Sequence, residues 1–233
     1  MSLHSVFAAA ARRAPPRDVA ELCANACALA GRSVAEVARA WRIPLPQSAR
    51  RAKGFVGMLV EVALGAEPTA GDGPDFVALG VELKTVPVNA RGAPVESTFC
   101  CSIHMGSADG ERWETSRLRR RLAHVLWLPV EAARLAPLAE RRFGRARLWS
   151  PSPAEWQVLR EDWEDLMGEI GMGGAENLRG HVGRVLQVRP KAANAQARVW
   201  APGPDGPERV APLGFYLRAR FTATLLAGGA SES

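Results

Sequence analysis

The chain is poor in the residues that several common chemistries need. Its 233 residues hold four cysteines, four histidines and a single tyrosine. The cysteines fall as Cys23 with Cys27 and as the adjacent pair Cys100–Cys101, and the histidines at 4, 104, 124 and 181 form no cluster. Neither cysteine pair has zinc-ligand spacing with histidine nearby, so both are read as small core residues. No Gly-Lys-Ser/Thr phosphate loop and no Gly-x-Ser-x-Gly elbow occurs. Gly171-Met-Gly-Gly174 follows a helical pattern rather than a strand, which excludes a dinucleotide loop. No apolar run is long enough to span a bilayer. Ser5–Ala11 is short and is followed by Arg12–Arg13, the reverse of the charge order of a secretory signal. These absences leave a reduced, cytoplasmic protein as the expectation.

What is present is an ordinary globular composition, 47% hydrophobic and 23% charged, long enough for one large domain or two small lobes. The formal charge of +6 suits a polyanionic partner such as DNA, though basic proteins without one are also common. The most informative stretch is Asp75-Phe-Val-Ala-Leu-Gly-Val-Glu-Leu-Lys84. From Val81 to Val86 apolar and polar residues alternate with the period of a half-buried strand, so Glu82 and Lys84 share a face. Gly80 allows a tight turn or bulge before the strand, and Pro87 limits pairing after it. Asp75 precedes the short apolar run Phe76–Leu79 and can fold back to meet Glu82. Two carboxylates and a lysine meeting at one point suit a hard divalent cation and an activated water, whereas Glu-x-Lys on an exposed strand is usually only a solvated ion pair.

Around this stretch, residues 1–17 and 227–233 are expected to be frayed. Asp18 caps a predicted helix to Leu29, and the capping box Ser33-x-x-Glu36 opens a second to about Trp41. A third is expected from about Ser48 to Leu64, carrying Lys53 and Glu61. Glu61 sits among apolar residues, so it either faces water or serves a polar site. Val95–Ile103 is expected to pair with the central strand across the turn Asn89–Gly92. Thr115 or Ser116 caps a short helix with Arg117, Arg119, Arg120 and Arg121, which is either a solvated face or a phosphate-holding one. Val125–Val130 and Ala146–Trp149 read as strands, Leu135–Arg142 as a short helix, and Pro153–Ile170 as a long one. Val185–Val188 is a strand leading into Arg189-Pro-Lys191, 201–209 a loop, Gly214–Leu217 a strand, and Phe221–Leu226 the start of a last helix.

Eight blocks in one order resemble the MutH family of mismatch-repair endonucleases, a branch of the restriction-endonuclease-like superfamily with its signature of Asp, a gap, then Glu-x-Lys. They are Lys-Gly-Phe-Val-Gly (53–57), Asp75 to Val88, Trp-Glu-Thr-Ser (113–116), Val-Leu-Trp-Leu-Pro-Val-Glu (125–131), Leu-Trp-Ser-Pro (148–151), Arg-Glu-Asp-Trp-Glu-Asp-Leu-Met (160–167), Arg-Pro-Lys-Ala-Ala-Asn-Ala (189–195) and Gly-Phe-Tyr-Leu (214–217). The resemblance implies a monomeric mixed α/β chain of restriction-endonuclease-like fold, with a central mixed sheet flanked by helices and two lobes forming a DNA cleft. It implies an endonuclease that nicks the unmethylated strand of hemimethylated GATC sites and is activated by MutL after MutS has found a mismatch. Asp75 and Glu82 match the ligands of Mg²⁺, for which Mn²⁺ can substitute, Lys84 the lysine acting on the attacking water, and Glu61 a supporting acid. Lys53 and Arg121 match backbone-contacting cations, with Arg121 standing where a lysine is usual. Arg189, Lys191 and Tyr216 match groove-reading positions, and Phe99 a residue close to the DNA. The tail Ala227–Ser233 is less apolar than the family's. The rival readings are a free-standing GATC restriction enzyme, which cuts both strands unaided, and a non-catalytic DNA-binding module, which does not need the Asp75/Glu82/Lys84 set.

Overall fold

The computed structural model describes residues 6–7, 10–47, 54–66, 73–132, 136–174, 178, 183–191, 196–203 and 206–228. In chain order the helices are α1 (Val19–Cys27), α2 (Val34–Ala40), α3 (Phe55–Leu64), α4 (Arg117–Leu122), α5 (Pro153–Gly171) and α6 (Ala219–Ala227). The strands are β1 (Glu82–Val88), β2 (Thr98–Ser102), β3 (Val125–Glu131), β4 (Arg147–Trp149), β5 (Leu186–Pro190), β6 (Val199–Ala201), β7 (Glu208–Val210) and β8 (Leu213–Leu217). The fold is mixed α/β, with small sheets flanked by helices. Two compact units share the chain: 1–95 with 124–149, and 96–123 with 150–233.

In the first unit β1 runs parallel to β3, with Glu82 opposite Val125 and Lys84 opposite Trp127, and β4 pairs antiparallel with β3. Helices α1 to α3 supply the apolar side chains that cover this sheet, among them Leu22, Ala26, Val34, Val37, Leu59 and Val62, packed with Val81, Leu83, Leu126 and Leu128. Local signals open the first two helices as expected. Asp18 accepts a bond from the Glu21 amide, and Ser33 and Glu36 close a reciprocal box.

The N-terminal stretch expected to fray is anchored where it is described. Phe7 is buried with its ring 5.4 Å from that of Phe55, and the Arg13 amide donates to the Val62 carbonyl at 3.2 Å. Burying a phenylalanine contributes about 1.5–3 kcal/mol, enough to hold a basic segment down. Helix α3 is described from Phe55; residues 48–53, and so Lys53, lie outside the described residues, as do 229–233 of the tail. Cys27 is exposed rather than in the core, whereas Cys100 and Cys101 are buried.

The second unit holds the antiparallel sheet β2-β8-β5, the hairpin β6-β7, and the helices α4, α5 and α6. This corrects the expected partner of the central strand. Val95–Ile103 does not pair with β1; its core, β2, pairs with β8, with Phe99 opposite Tyr216 and a register shift before Cys101. The turn chemistry was real, since the Asn89 side chain accepts from the Arg91 and Ala93 amides and the Val95 amide reaches the Pro87 carbonyl. After that bond the chain leaves β1, whose ladder runs instead to β3. Among the described residues the Glu-x-Lys strand and Gly214–Leu217 therefore lie in different sheets. Within 136–142 only a 3₁₀ turn, Leu138–Glu140, forms, and 201–209 contributes to the β6-β7 hairpin rather than to a plain loop. Helix α5 keeps its predicted start, with Ser152 and Glu155 forming a capping box before Pro153. Its Trp163 packs 5.7 Å from Trp113, so the aromatic stripe is largely core. Among the described residues no helix is long and apolar enough to cross a membrane.

Candidate functional site

The first unit gathers the acidic residues through a short reversal. Phe76–Leu79 is not extended: Val77–Leu79 forms a 3₁₀ turn, Phe76 and Val81 exchange backbone bonds of 2.9 and 3.3 Å, and Gly80 closes the turn at φ +64°. That left-handed conformation is one that residues with a Cβ rarely adopt, which accounts for glycine here. The reversal returns Asp75 to β1, where its Oδ2 accepts from the Leu83 amide at 2.8 Å. Glu82 is buried, and its Oε1 takes a 2.5 Å bond from the Lys84 Nζ, the pair lying on one face of β1. Lys84 keeps only 14% of its side chain exposed, so this is not the solvated ion pair that Glu-x-Lys usually makes.

Glu61 joins them from α3. Its carboxyl is held above the ordinary glutamate range, first by burial and then by the charge of Asp75, with Arg12 pulling the other way, Glu82 adding to the rise and Lys84 opposing it. The helix residue is half-buried and within electrostatic reach of the other three. Arg12 was not singled out in the sequence, where it belongs to a stretch that looks frayed. Its guanidinium reaches the Ala66 carbonyl at 3.4 Å and acts on Glu61.

Among the described residues no group of three or more histidines, cysteines or carboxylates is drawn tightly enough to enclose a metal ion. The cluster offers Asp75 and Glu82 as hard oxygen donors. Mg²⁺ is commonly held by one or two carboxylates, with waters and substrate phosphate completing its shell, so the donor chemistry fits that ion.

The second unit brings together four other predicted residues. The Phe99 ring meets the Tyr216 ring edge-on at 5.3 Å, the Lys191 Nζ lies 4.1 Å from the Phe99 centroid, and the Arg189 guanidinium stands 5.9 Å from the Tyr216 centroid. Arg189 and Lys191 are exposed, while Phe99 and Tyr216 are half-buried. The Tyr216 phenol is pushed up, mainly by burial, with Arg189 opposing and Cys100 and Glu96 adding to the rise. It stays protonated and able to donate. The result is an alternating surface of cations and rings along one end of the sheet, suited to phosphates and base edges.

The arginines of α4 are less available. Ser116 caps this helix, Arg119 stacks 5.3 Å from the Trp156 ring and donates to the Glu114 carbonyl, and Arg120 donates to the Thr115 carbonyl. Arg121 is half-buried on the same helix. Two of the four thus serve their own loop.

Comparison with known proteins covers most of the chain. The family model described as DNA mismatch repair enzyme MutH matches residues 64–162, which include Asp75, Glu82 and Lys84. A DNA mismatch repair protein MutH of Klebsiella pneumoniae (strain 342) is 47% identical over 214 residues, covering 91% of this chain and 93% of that protein. The protein of the same name from Serratia proteamaculans (strain 568) is 46% identical, with 91% and 94% covered. That of Shigella flexneri is 46% identical over 215 residues, with 91% and 93% covered.

Proposed function

Since the chain belongs to the MutH family of DNA mismatch repair enzymes, we propose that it is a Mg²⁺-dependent endonuclease that nicks the unmethylated strand at hemimethylated GATC sites. In this reading it acts as a monomer with a restriction-endonuclease-like fold, MutL switches it on, and MutS acts through MutL. The observation that carries the reading is the convergence of Asp75, Glu82, Lys84 and Glu61 in one unit of the chain. A binding module has no need to bury a glutamate–lysine pair beside two further carboxyls, because each buried charge costs stability unless it is put to use.

Asp75 and Glu82 would hold the metal, which when bound supplies charge neutralisation at the scissile phosphate and a more acidic water. The bond from the Leu83 amide fixes the Asp75 carboxylate, so its remaining lone pairs keep one direction. Lys84, bonded through Nζ to Glu82, positions or activates the attacking water. Glu61, whose carboxyl is held above the ordinary glutamate range by burial and the charge of Asp75, supports the set from α3. Reading of the site falls to the second cluster. Lys191 suits guanine O6 and N7, and the Tyr216 phenol suits adenine N6, where a methyl group removes one N–H and adds bulk. Arg121 and Lys53 are assigned to the DNA backbone, Arg189 to the groove with Lys191 and Tyr216, and Phe99 to a place close to the DNA.

Incubation with Mg²⁺ and unmethylated, hemimethylated and fully methylated GATC duplexes, with and without MutL, tests the reading. The expected pattern is a slow nick confined to unmethylated strands, accelerated by MutL and abolished by EDTA. Equal unaided cutting of both strands would identify a free-standing restriction enzyme instead.

A further inference from the structure

We propose that Asp162, a residue with no part in either cluster, is the positioning residue that sets the register of the reading strand β5. The inference rests on the reading that Arg189, Lys191 and Tyr216 face DNA. Asp162 lies in the middle of α5, buried, with its carboxylate turned onto the segment 184–186 that launches β5. Its Oδ1 accepts from the Arg184 amide at 2.8 Å, and its Oδ2 accepts from the Val185 and Leu186 amides at 2.7 and 2.8 Å. Three successive backbone donors thus end on one side chain 22 to 24 residues earlier in the chain.

The carbonyls of the same turn are held from the other side. Arg218 donates through Nε to the Gly183 carbonyl at 3.0 Å and through its backbone amide to the Val185 carbonyl at 2.8 Å, and Arg220 donates to the Arg184 carbonyl at 2.7 Å. Gly183 sits at φ +87°, and a Cβ there would come within 2.4 Å of the Leu186 carbonyl oxygen and 3.2 Å of the Asp162 Oδ2. The turn therefore accepts no other residue without moving. Such a construction exceeds what starting a five-residue strand requires.

The strand's position in the sheet explains the need. In the order β2-β8-β5, β5 is an edge among the described residues, and it pairs with β8 from Leu186 opposite Leu217 to Pro190 opposite Leu213. An edge strand has a ladder on one side to hold its register, and a slip of one residue turns every side chain to the opposite face. That slip would carry Arg189 away from the Tyr216 ring, draw Lys191 away from Phe99, and break the bond from the buried Gln187 amide to the Ser97 hydroxyl. Asp162 pins the beginning of the strand, while the Lys191 amide bond to the Pro212 carbonyl at 2.7 Å holds its end. A buried acid of α5 thereby fixes where two cations stand.

The test uses the full chain with Asp162→Asn, which keeps the shape but puts an amide donor against backbone donors. Binding and single-turnover nicking are measured on a GATC duplex and on duplexes with one of the four bases changed. The expected result is a tenfold or greater loss of preference for GATC, with the single-turnover rate at saturating GATC duplex within about threefold of the parent. Leu159→Ala, buried in the same helix, controls for plain destabilisation and should keep the preference at a temperature where both variants are folded. Unaltered preference in Asp162→Asn, or an equal loss in Leu159→Ala, overturns the proposal. Hydrogen exchange of the unmutated protein gives an independent arm. The amides of Arg184, Val185 and Leu186 should exchange as slowly as those of the β8 core, and rapid exchange there also overturns it. Lys191→Ala separates this failure from that of the underlying reading. Full preference in Lys191→Ala removes the reading face itself, whereas loss there with none in Asp162→Asn removes only the clamp.

Discussion

At the scale of single residues, the two clusters divide chemistry from reading, and substitutions should separate them. Lys84 makes its 2.5 Å bond to Glu82 within the acidic set, so Lys84→Ala should lower the single-turnover nicking rate by at least a hundredfold, on the order expected for a group acting in proton transfer, while changing duplex affinity only a few-fold. Rate and equilibrium binding on the same duplex check this, and an affinity loss as large as the rate loss would make Lys84 a phosphate clamp. Tyr216 belongs to the other cluster. Tyr216→Ser should narrow the difference between methylated and unmethylated strands by roughly tenfold, the size of a lost contact of about 1–3 kcal/mol, whereas Lys191→Ala should weaken recognition of guanine and leave that difference largely intact. Unchanged discrimination in Tyr216→Ser would move the methyl sensor to another group. Spacing and alternation marked out Asp75, Glu82 and Lys84, and the resemblance to the MutH family supplied their roles. Arg12 and Asp162 were not visible in the same way. Arg12 lies in a basic, proline-flanked stretch without periodicity, and Asp162 looks like any acid on an amphipathic helix until its three amide partners are brought to it by the tertiary fold.

At the scale of elements, the features written in neighbouring residues were the ones that could be read. The caps of α1, α2 and α5 follow from residues three apart, and the predicted starts of those helices agree with the structure. Removing such a cap has a local cost: Ser152→Ala should lower stability by about 1 kcal/mol, roughly 2–4 °C in melting temperature, with nicking unchanged at a temperature where the protein is folded. Calorimetry of the variant measures it, and a change below about half a degree would contradict the assigned cap. Strand pairing was harder. Asn89–Gly92 makes a true turn, but turn residues do not say which strand will be the ladder partner. The choice of β3 for β1 depends on a parallel pairing across the 36 residues between Val88 and Val125, and on the burial of Trp127 opposite Lys84. The 3₁₀ turn at Val77–Leu79 escaped for a related reason, since four apolar residues in a row carry no period that tells a strand from a turn.

At the scale of the whole molecule, the formal charge of +6 and the MutH family membership lead to the same kind of partner, and ionic strength should weigh on the binding. The logarithm of the affinity for duplex DNA should fall linearly with the logarithm of salt concentration, and Arg121→Ala should reduce that slope by about 1 if it meets one phosphate. An unchanged slope would remove Arg121 from the backbone contacts. The two units make separate contributions in this account: the acidic cluster belongs to one, and the ring-and-cation surface belongs to the other. Loss of the first should therefore leave binding intact. The most direct measurement is single-turnover nicking of a hemimethylated GATC duplex in Mg²⁺ and MutL by Glu82→Ala, with duplex binding by the same preparation. The account predicts nicking below detection with affinity close to that of the parent protein at a temperature where the variant is folded, and nicking at a rate near the parent's would contradict it.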